Sequence, residues 1–249
     1  MIPKVIHYCW FGRNPLPESA IKCIASWKHY LPGYEIKAWN EDNFDVNCTP
    51  FTRQAYEAKK YAFVSDYARF WILYNHGGIY FDTDVEVIRP MDDIIARGPF
   101  MGREAGAYLS KMIPGSSGGL AVAPGLGIGA EAGMPLFKKF LAAYEGRPFV
   151  NKDGSLNTKT IVYYASEVLL QCGMSGNDAE PEFVEGLWVY PHDYFCPMDH
   201  TRGNLITITD NTRSIHHYEA SWVDQSALHK LLAGIKKWAV RRYYSIVNK

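Results

Sequence analysis

The sequence predicts an α/β fold on a largely parallel sheet, and three observations carry that reading. A strand, a loop, a helix and a second strand follow one another within the first 40 residues, which is the βαβ unit of a parallel sheet. Gly77-Gly78 leads directly into an apolar run, Ile79-Tyr80-Phe81, that meets two aspartates. Helical periodicity then separates the later β-prone runs instead of giving way to a continuous series of short strands.

The elements follow in order. Residues 3–9 form a β-prone run ending at Trp10-Phe11-Gly12, and Arg13-Asn14-Pro15-Leu16-Pro17 breaks it. Pro17 suits the start of a helix, Ile21, Ile24 and Trp27 recur at helical spacing, and Leu31-Pro32-Gly33 ends the segment. Residues 34–39 read as the second strand. Ligands of parallel sheets gather beyond the carboxyl ends of the strands, where Trp10 and Asn40 fall. Residues 52–75 read as one helix, with Asp66 and Arg69 three apart on one face and Gly77-Gly78 as its left-handed stop. The strand at 79–81 is expected to run through Asp82-Thr83-Asp84 and resume at 85–88. Residues 98–133, rich in Gly, Ala and Pro, read as loops and short strands. Helices are expected at 134–144 and 158–172, and strands at 187–190 and 205–209. The last segment, 226–249, carries apolar residues at 228, 231, 235, 238 and 246 with Lys and Arg between them, a basic amphipathic helix.

Size and charge bound the function. The chain has 249 residues, and its 26 Lys+Arg balance 26 Asp+Glu, so no global positive field exists to gather nucleic acid. No Pro/Ser-rich or charged linker divides it, and the division expected is one domain over 1–224 followed by the tail helix 225–249. No apolar run approaches the ~18 residues of a membrane span, and the first residues lack a secretory layout, so a cytosolic protein is expected. Five scattered cysteines without a C-x-x-C read as packing thiols.

Asp82-Thr83-Asp84 is the chemistry-bearing motif. In a strand the middle residue points away, so both carboxylates would share one side and could hold a hard divalent cation with phosphate oxygens. With 13 Asp in the chain a D-x-D arises about 0.7 times by chance, so the motif gains weight only from its place at the end of an apolar strand, where bare acids are costly to bury. Asp66 and Arg69 read either as a helix-surface ion pair or as groups for a sugar and a phosphate. His216-His217 read as ordinary strand histidines or as the source of a further metal ligand. Trp10 and Trp222 read as core indoles or as stacking platforms.

Four separated motifs in a fixed order resemble a known family: residues 2–12 (Ile-Pro-Lys-Val-Ile-His-Tyr-Cys-Trp-Phe-Gly), Ser65-Asp66-Tyr67-Ala68-Arg69, Gly77 to Asp84, and His216-His217-Tyr218-Glu219-Ala220-Ser221-Trp222. Together they look like the D-x-D sugar transferases of glycosyltransferase family 32, whose core is similar to that of the clostridial glucosylating toxins. The resemblance covers about 2–90 densely and 190–222 loosely. It implies a GT-A fold with a mixed, mostly parallel central sheet flanked by helices, a nucleotide-sugar donor, Mn²⁺ or Mg²⁺, and retention of anomeric configuration. It further implies that Trp10 stacks on the base and that Asp66 and Arg69 hold the sugar and phosphate; Asn40 is a donor-site candidate from its place at the end of the second strand. Tyr80 would line the diphosphate pocket, Asp82 would contact ribose or metal-bound water, and Asp84 would ligate the metal. His217 would be a further ligand or a phosphate contact, with Glu219 and Ser221 as competitors, and Trp222 would close over the donor.

The function expected is transfer of a hexose or N-acetylhexosamine, from a UDP-sugar in preference to GDP-mannose, onto a glycan or lipid-linked glycan in surface or capsular polysaccharide synthesis. The tail helix would either pack on the domain or attach peripherally to the inner face of a membrane. A haloacid-dehalogenase-like phosphatase is the rival enzyme, because it too places D-x-D after an apolar strand, and a noncatalytic saccharide-binding protein is the third reading.

Overall fold

The computed structural model describes residues 1–116, 118–199 and 205–219. The chain divides into two compact units, Met1–Tyr218 and Glu219–Lys249. The first is described below. The expected boundary at 224/225, the tail helix, Ser221 and Trp222 lie outside the described residues.

Strand β1 (Val5–Cys9), helix α1 (Glu18–Tyr30) and strand β2 (Glu35–Trp39) form the expected βαβ unit, with β1 and β2 paired in parallel. The buried stripe of α1 is Ala20, Cys23 and Trp27, while Ile21 faces solvent at 55% exposure. The helical spacing was right, but its stripe is rotated by one position from Ile21-Ile24-Trp27. Trp27 wins the inward place because its indole fills the space beside Phe81 and donates its N–H to the Val85 carbonyl at 2.8 Å.

The single helix expected over 52–75 is two. Helix α2 (Pro50–Glu57) starts at Thr49, whose hydroxyl exchanges capping bonds with Thr52. Helix α3 (Tyr61–His76) follows a break at Lys59, which takes a left-handed φ of 57° without glycine or proline to announce it. Gly77 then ends α3 in the left-handed region, as the sequence indicated.

Strand β3 (Gly78–Tyr80) pairs in parallel with β1. Strand β4 (Val85–Val87) is not its continuation, since it pairs antiparallel with a strand near residue 215. Helix α4 (Asp92–Arg97) leads to the long β5 (Phe100–Tyr108), helix α5 (Leu109–Met112) and β6 (Leu120–Val122). A short 3₁₀ turn at Pro124–Leu126 precedes β7 (Ile128–Ala130). Helices α6 (Pro135–Ala142) and α7 (Ile161–Gln171) occupy the two helical segments expected there. Strands β8 (Glu182–Val184) and β9 (Leu187–Tyr190), helix α8 (His192–Phe195), the small pair β10 (Met198–Asp199) and β11 (Leu205–Ile206), and β12 (Ser214–His216) complete the unit.

The central sheet runs β2-β1-β3-β7-β5-β9-β8, with β6 alongside β5. It is mixed: β2-β1-β3 and β5-β9 are parallel, whereas β7, β6 and β8 pair antiparallel. Helices cover both faces. Alternation along β3 sends Ile79 and Phe81 into the layer of Trp27, Phe100 and Phe195, and sends Tyr80 into the opposite layer with Phe70, Phe137 and Tyr164 of α3, α6 and α7. That alternation places Tyr80 against α3 and so begins the site. Among the described residues no helix is long and apolar enough to cross a membrane.

Candidate active site

Because β1, β2 and β3 are parallel, their carboxyl ends share one edge of the sheet, and Trp10, Asn40 and Asp82 all sit just beyond those ends. Asp82-Thr83-Asp84 is not strand there. It is a turn, closed by the Val85 N–H donating to the Asp82 carbonyl at 3.1 Å, that carries the chain out of the main sheet into β4. The shared-side argument from strand alternation therefore does not apply, and each carboxylate has its own partners.

Asp82 Oδ2 accepts from Arg69 Nη1 at 3.1 Å, and Oδ1 accepts from the Tyr80 hydroxyl at 3.1 Å. Arg69 also donates through Nη2 to Asp66 Oδ1 and through Nε to the Ser65 carbonyl, each at 3.1 Å, and its guanidinium lies 4.7 Å from the centre of the Tyr80 ring. Asp66 Oδ2 accepts from the Ile161 N–H at 3.2 Å, at the start of α7. Asp66 and Arg69 are thus a buried pair, 7% and 3% exposed, not the helix-surface pair that one sequence reading allowed. Burial pushes the Asp66 carboxyl up to about 6, against the opposing pull of Arg69. Burial also works against the Arg69 charge, but Asp82, Tyr80 and Asp66 outweigh it and hold the guanidinium above its ordinary value. Burial raises the Tyr80 phenol well above its usual range. The side chain of Asp82 is 29% exposed against 4% for Arg69, so Asp82 is the member of the network that meets solvent.

Asp84 Oδ1 lies 3.1 Å from His216 Nε2, and the Asp84 carbonyl accepts the His217 N–H at 2.9 Å. The imidazole of His217 meets Glu86 Oε2 instead, at 2.8 Å. In this arrangement the histidine side chain beside the D-x-D is His216, because β12 pairs antiparallel with β4 and matches His216 to Val85. Burial lowers the His216 pKa, but the charge and hydrogen bond of Asp84 outweigh that and raise it. Its Nδ1 is buried without a hydrogen-bond partner.

Trp10 is half-buried, with its indole N–H donating to the Asn14 carbonyl at 2.7 Å. Asn40 Oδ1 accepts from the Asp42 N–H at 2.8 Å, so its side chain shapes the loop after β2. Glu219 belongs to the second unit.

One neighbour of the site escaped the sequence reading. The Gly125 carbonyl accepts the Asp82 N–H at 3.1 Å, which lays the 3₁₀ turn on the D-x-D. The only signal was the Gly-rich run 125–129, which sequence spacing could not place.

The acids suit a hard cation in donor type, since Asp82 and Asp84 offer carboxylate oxygens on one turn, and Mg²⁺ or Mn²⁺ takes only a few protein oxygens beside water and phosphate. Among the described residues no group of three or more His, Cys, Asp or Glu is arranged to hold a metal by itself.

Residues 17–101 match the family described as "Glycosyltransferase sugar-binding region containing DXD motif". Inositol phosphoceramide mannosyltransferase 3 of Schizosaccharomyces pombe is 30% identical over 122 residues, covering 47% of this chain and 34% of the relative. The uncharacterized glycosyltransferase L373 of Acanthamoeba polyphaga mimivirus is 33% identical over 106 residues, covering 40% of this chain and 42% of the relative. Among solved structures, the PaToxG glycosyltransferase aligns with a TM-score of 0.49 at 20% identity, over 68% of this chain and 69% of its own. The chain spans about a third of the length of the mannosyltransferases it matches. Over residues 17–101 the chain is similar to DXD-type glycosyltransferase sugar-binding regions, which bears out the family-32 resemblance carried by its motifs.

Proposed function

From the DXD-containing glycosyltransferase region matched over residues 17–101, we propose that this protein transfers a hexose from a nucleotide-sugar donor to a glycan or lipid-linked acceptor. The observation that carries the reading is the placement of Asp82 at the carboxyl end of β3, where Arg69 and Tyr80 hold one carboxylate at a solvent-facing turn. A GT-A-like α/β fold suits that placement.

Asp84 and Asp82 are the groups that would hold a divalent cation, and such a cation supplies charge stabilisation to a diphosphate leaving group. Arg69 is enclosed by three partners and so acts on the donor through Asp82, fixing the carboxylate where the ribose or sugar hydroxyls would arrive. Asp66 anchors Arg69 from behind. Trp10, beyond the end of β1, offers an indole face for the base, Trp222 remains the proposed lid residue and Ser221 a proposed donor contact. His217 and Glu219 are kept as proposed metal ligands, with His216 added because its imidazole already touches Asp84. Retention of configuration is proposed with them.

A UDP-sugar was favoured by resemblance. The mannosyltransferase names of the two Schizosaccharomyces pombe relatives lend support to GDP-mannose, so both belong in the test. Thermal unfolding with Mn²⁺ and each of UDP, GDP, a UDP-hexose and GDP-mannose is expected to single out one nucleotide, since a ligand at ~100 times its Kd adds about 2.7 kcal/mol. The same donor should release free sugar slowly without acceptor. If no nucleotide raises the midpoint and only inorganic phosphate is released from a phosphate ester, the phosphatase reading replaces this one.

The basic segment 226–249 is proposed as the contact with an acceptor-bearing anionic membrane. Co-sedimentation with anionic vesicles should fall when the chain is cut after Asp224, and unchanged binding removes the proposal.

A further inference from the structure

We infer that Gly125 is a positioning residue, and that the missing side chain at this place sets where the Asp82 carboxylate lies against Arg69. The inference rests, for its functional consequence, on the donor-site reading of Asp82.

A Cβ built on Gly125 would collide with Asp82 Oδ2 and lie 3.0 Å from Arg69 Nη1 and 3.1 Å from Asp82 Cγ. Backbone conformation does not call for glycine there, because Gly125 is absent from the positive-φ glycines, unlike Gly127 two residues later at φ 146°. What the position needs is room. It needs it at the oxygen that accepts from Arg69 Nη1.

The turn cannot retreat to make that room for a larger residue. On one side β7 pairs with β3 in a register that matches Ile128 to Tyr80, two residues before Asp82. On the other, the Ala123 N–H donates to the Gly102 carbonyl at 3.0 Å and the Val122 N–H to the Ser166 hydroxyl at 3.1 Å. The Asp82 N–H itself bonds the Gly125 carbonyl at 3.1 Å, which ties the two backbones together. With both backbones fixed, a methyl group at 125 must turn the Asp82 side chain away from Nη1 of Arg69. The network then loses the bond that aims its one solvent-facing carboxylate, while Asp66, Ser65 and Tyr80 keep Arg69 in place.

The test is a double-mutant cycle of Gly125→Ala and Asp82→Ala read by the urea midpoint, together with Mn²⁺-dependent binding of UDP and GDP measured on the unaltered protein and on Gly125→Ala alone. In the wild-type background Gly125→Ala is expected to weaken nucleotide binding by roughly 100-fold and to lower the midpoint, with the far-UV circular dichroism unchanged. In the Asp82→Ala background, where the carboxylate is gone, the same substitution should leave the urea midpoint nearly unchanged. A residue that merely supports the fold would cost the same in both backgrounds, and that result overturns the inference, as does wild-type affinity in Gly125→Ala. Should the unaltered protein bind neither nucleotide, the transferase reading fails by itself. The urea cycle then still decides the packing claim, and midpoints that fall equally in both backgrounds sink it.

Discussion

Arg69 Nη1 bonds Asp82 Oδ2 across 3.1 Å, and this contact joins the middle of α3 to the turn after β3. The same guanidinium bonds Asp66 and a backbone carbonyl, so one buried cation serves two carboxylates. Breaking a buried pair by removing one member leaves the other charge uncompensated, at a cost of about 3–5 kcal/mol. Arg69→Met is therefore expected to be several kcal/mol less stable in urea unfolding. Arg69→Lys should recover only part of the loss, because a single ammonium cannot reproduce the planar fork. A lysine variant with the wild-type midpoint would contradict this account.

Asp84 and the paired histidines make a second prediction. His216 touches Asp84 whereas His217 reaches Glu86. If the imidazole at 216 orients the acid, His216→Ala should weaken Mn²⁺-dependent nucleotide binding by roughly tenfold or more, the range seen when outer partners of a metal ligand are removed. Asp84→Asn should lose it altogether. If His217 swings from Glu86 to the cation when a donor binds, His217→Ala will match or exceed the His216 effect, so calorimetry on the three variants ranks the two histidines directly.

The parts of this site legible in the sequence are those set by local spacing. The βαβ unit, the Gly77 stop and the Asp66–Arg69 face all follow from periods of two and 3.6 and from turn chemistry. The α2–α3 break was not legible, because it hangs on a left-handed Lys59 that no breaker residue marks. The D-x-D geometry was misread for a related reason. An apolar run continuing on both sides of the acids looks like one strand, and only the pairing of β4 with β12, about 130 residues away, reveals the turn. The Arg69–Asp82 bond and the approach of Gly125 are products of tertiary packing, which single-residue propensities do not encode.

Trp27 offers a test of the opposite layer. Its side chain is fully buried against Phe81, and its indole N–H bonds the Val85 carbonyl, so it braces both sides of the Asp82-Thr83-Asp84 turn. Trp27→Phe keeps part of the volume but leaves that carbonyl without its donor, at about 1–3 kcal/mol. Urea unfolding should show that loss. A fall in unfolding free energy of less than ~0.5 kcal/mol would mean the indole bond contributes nothing net.

His7 supplies the pH prediction. The Trp39 indole can only donate, and it points at His7 Nδ1 at 3.0 Å, so Nδ1 must accept and Nε2 carries the proton toward the Gly77 carbonyl at 3.0 Å. The neutral ring is thus built into the junction of β1 and β3, and burial lowers its pKa to about 4. A histidine whose folded pKa lies below its unfolded value of about 6.5 is less protonated folded than unfolded between those limits, so stability rises with pH there. The contribution is fully present above pH ~6.5 and is lost progressively down to pH ~4, on the order of 3 kcal/mol in all. Asp66 works the other way, since its folded pKa of about 6 is raised: the stability it contributes is present below its unfolded pKa and disappears as pH climbs through about 6. The two overlap between pH 4 and 6, so the wild-type curve alone cannot separate them. Unfolding free energies of wild type and His7→Gln measured from pH 4 to 8 isolate the histidine: the wild type should gain stability over the variant as pH rises through that window, and parallel curves would show that His7 titrates alike in both states.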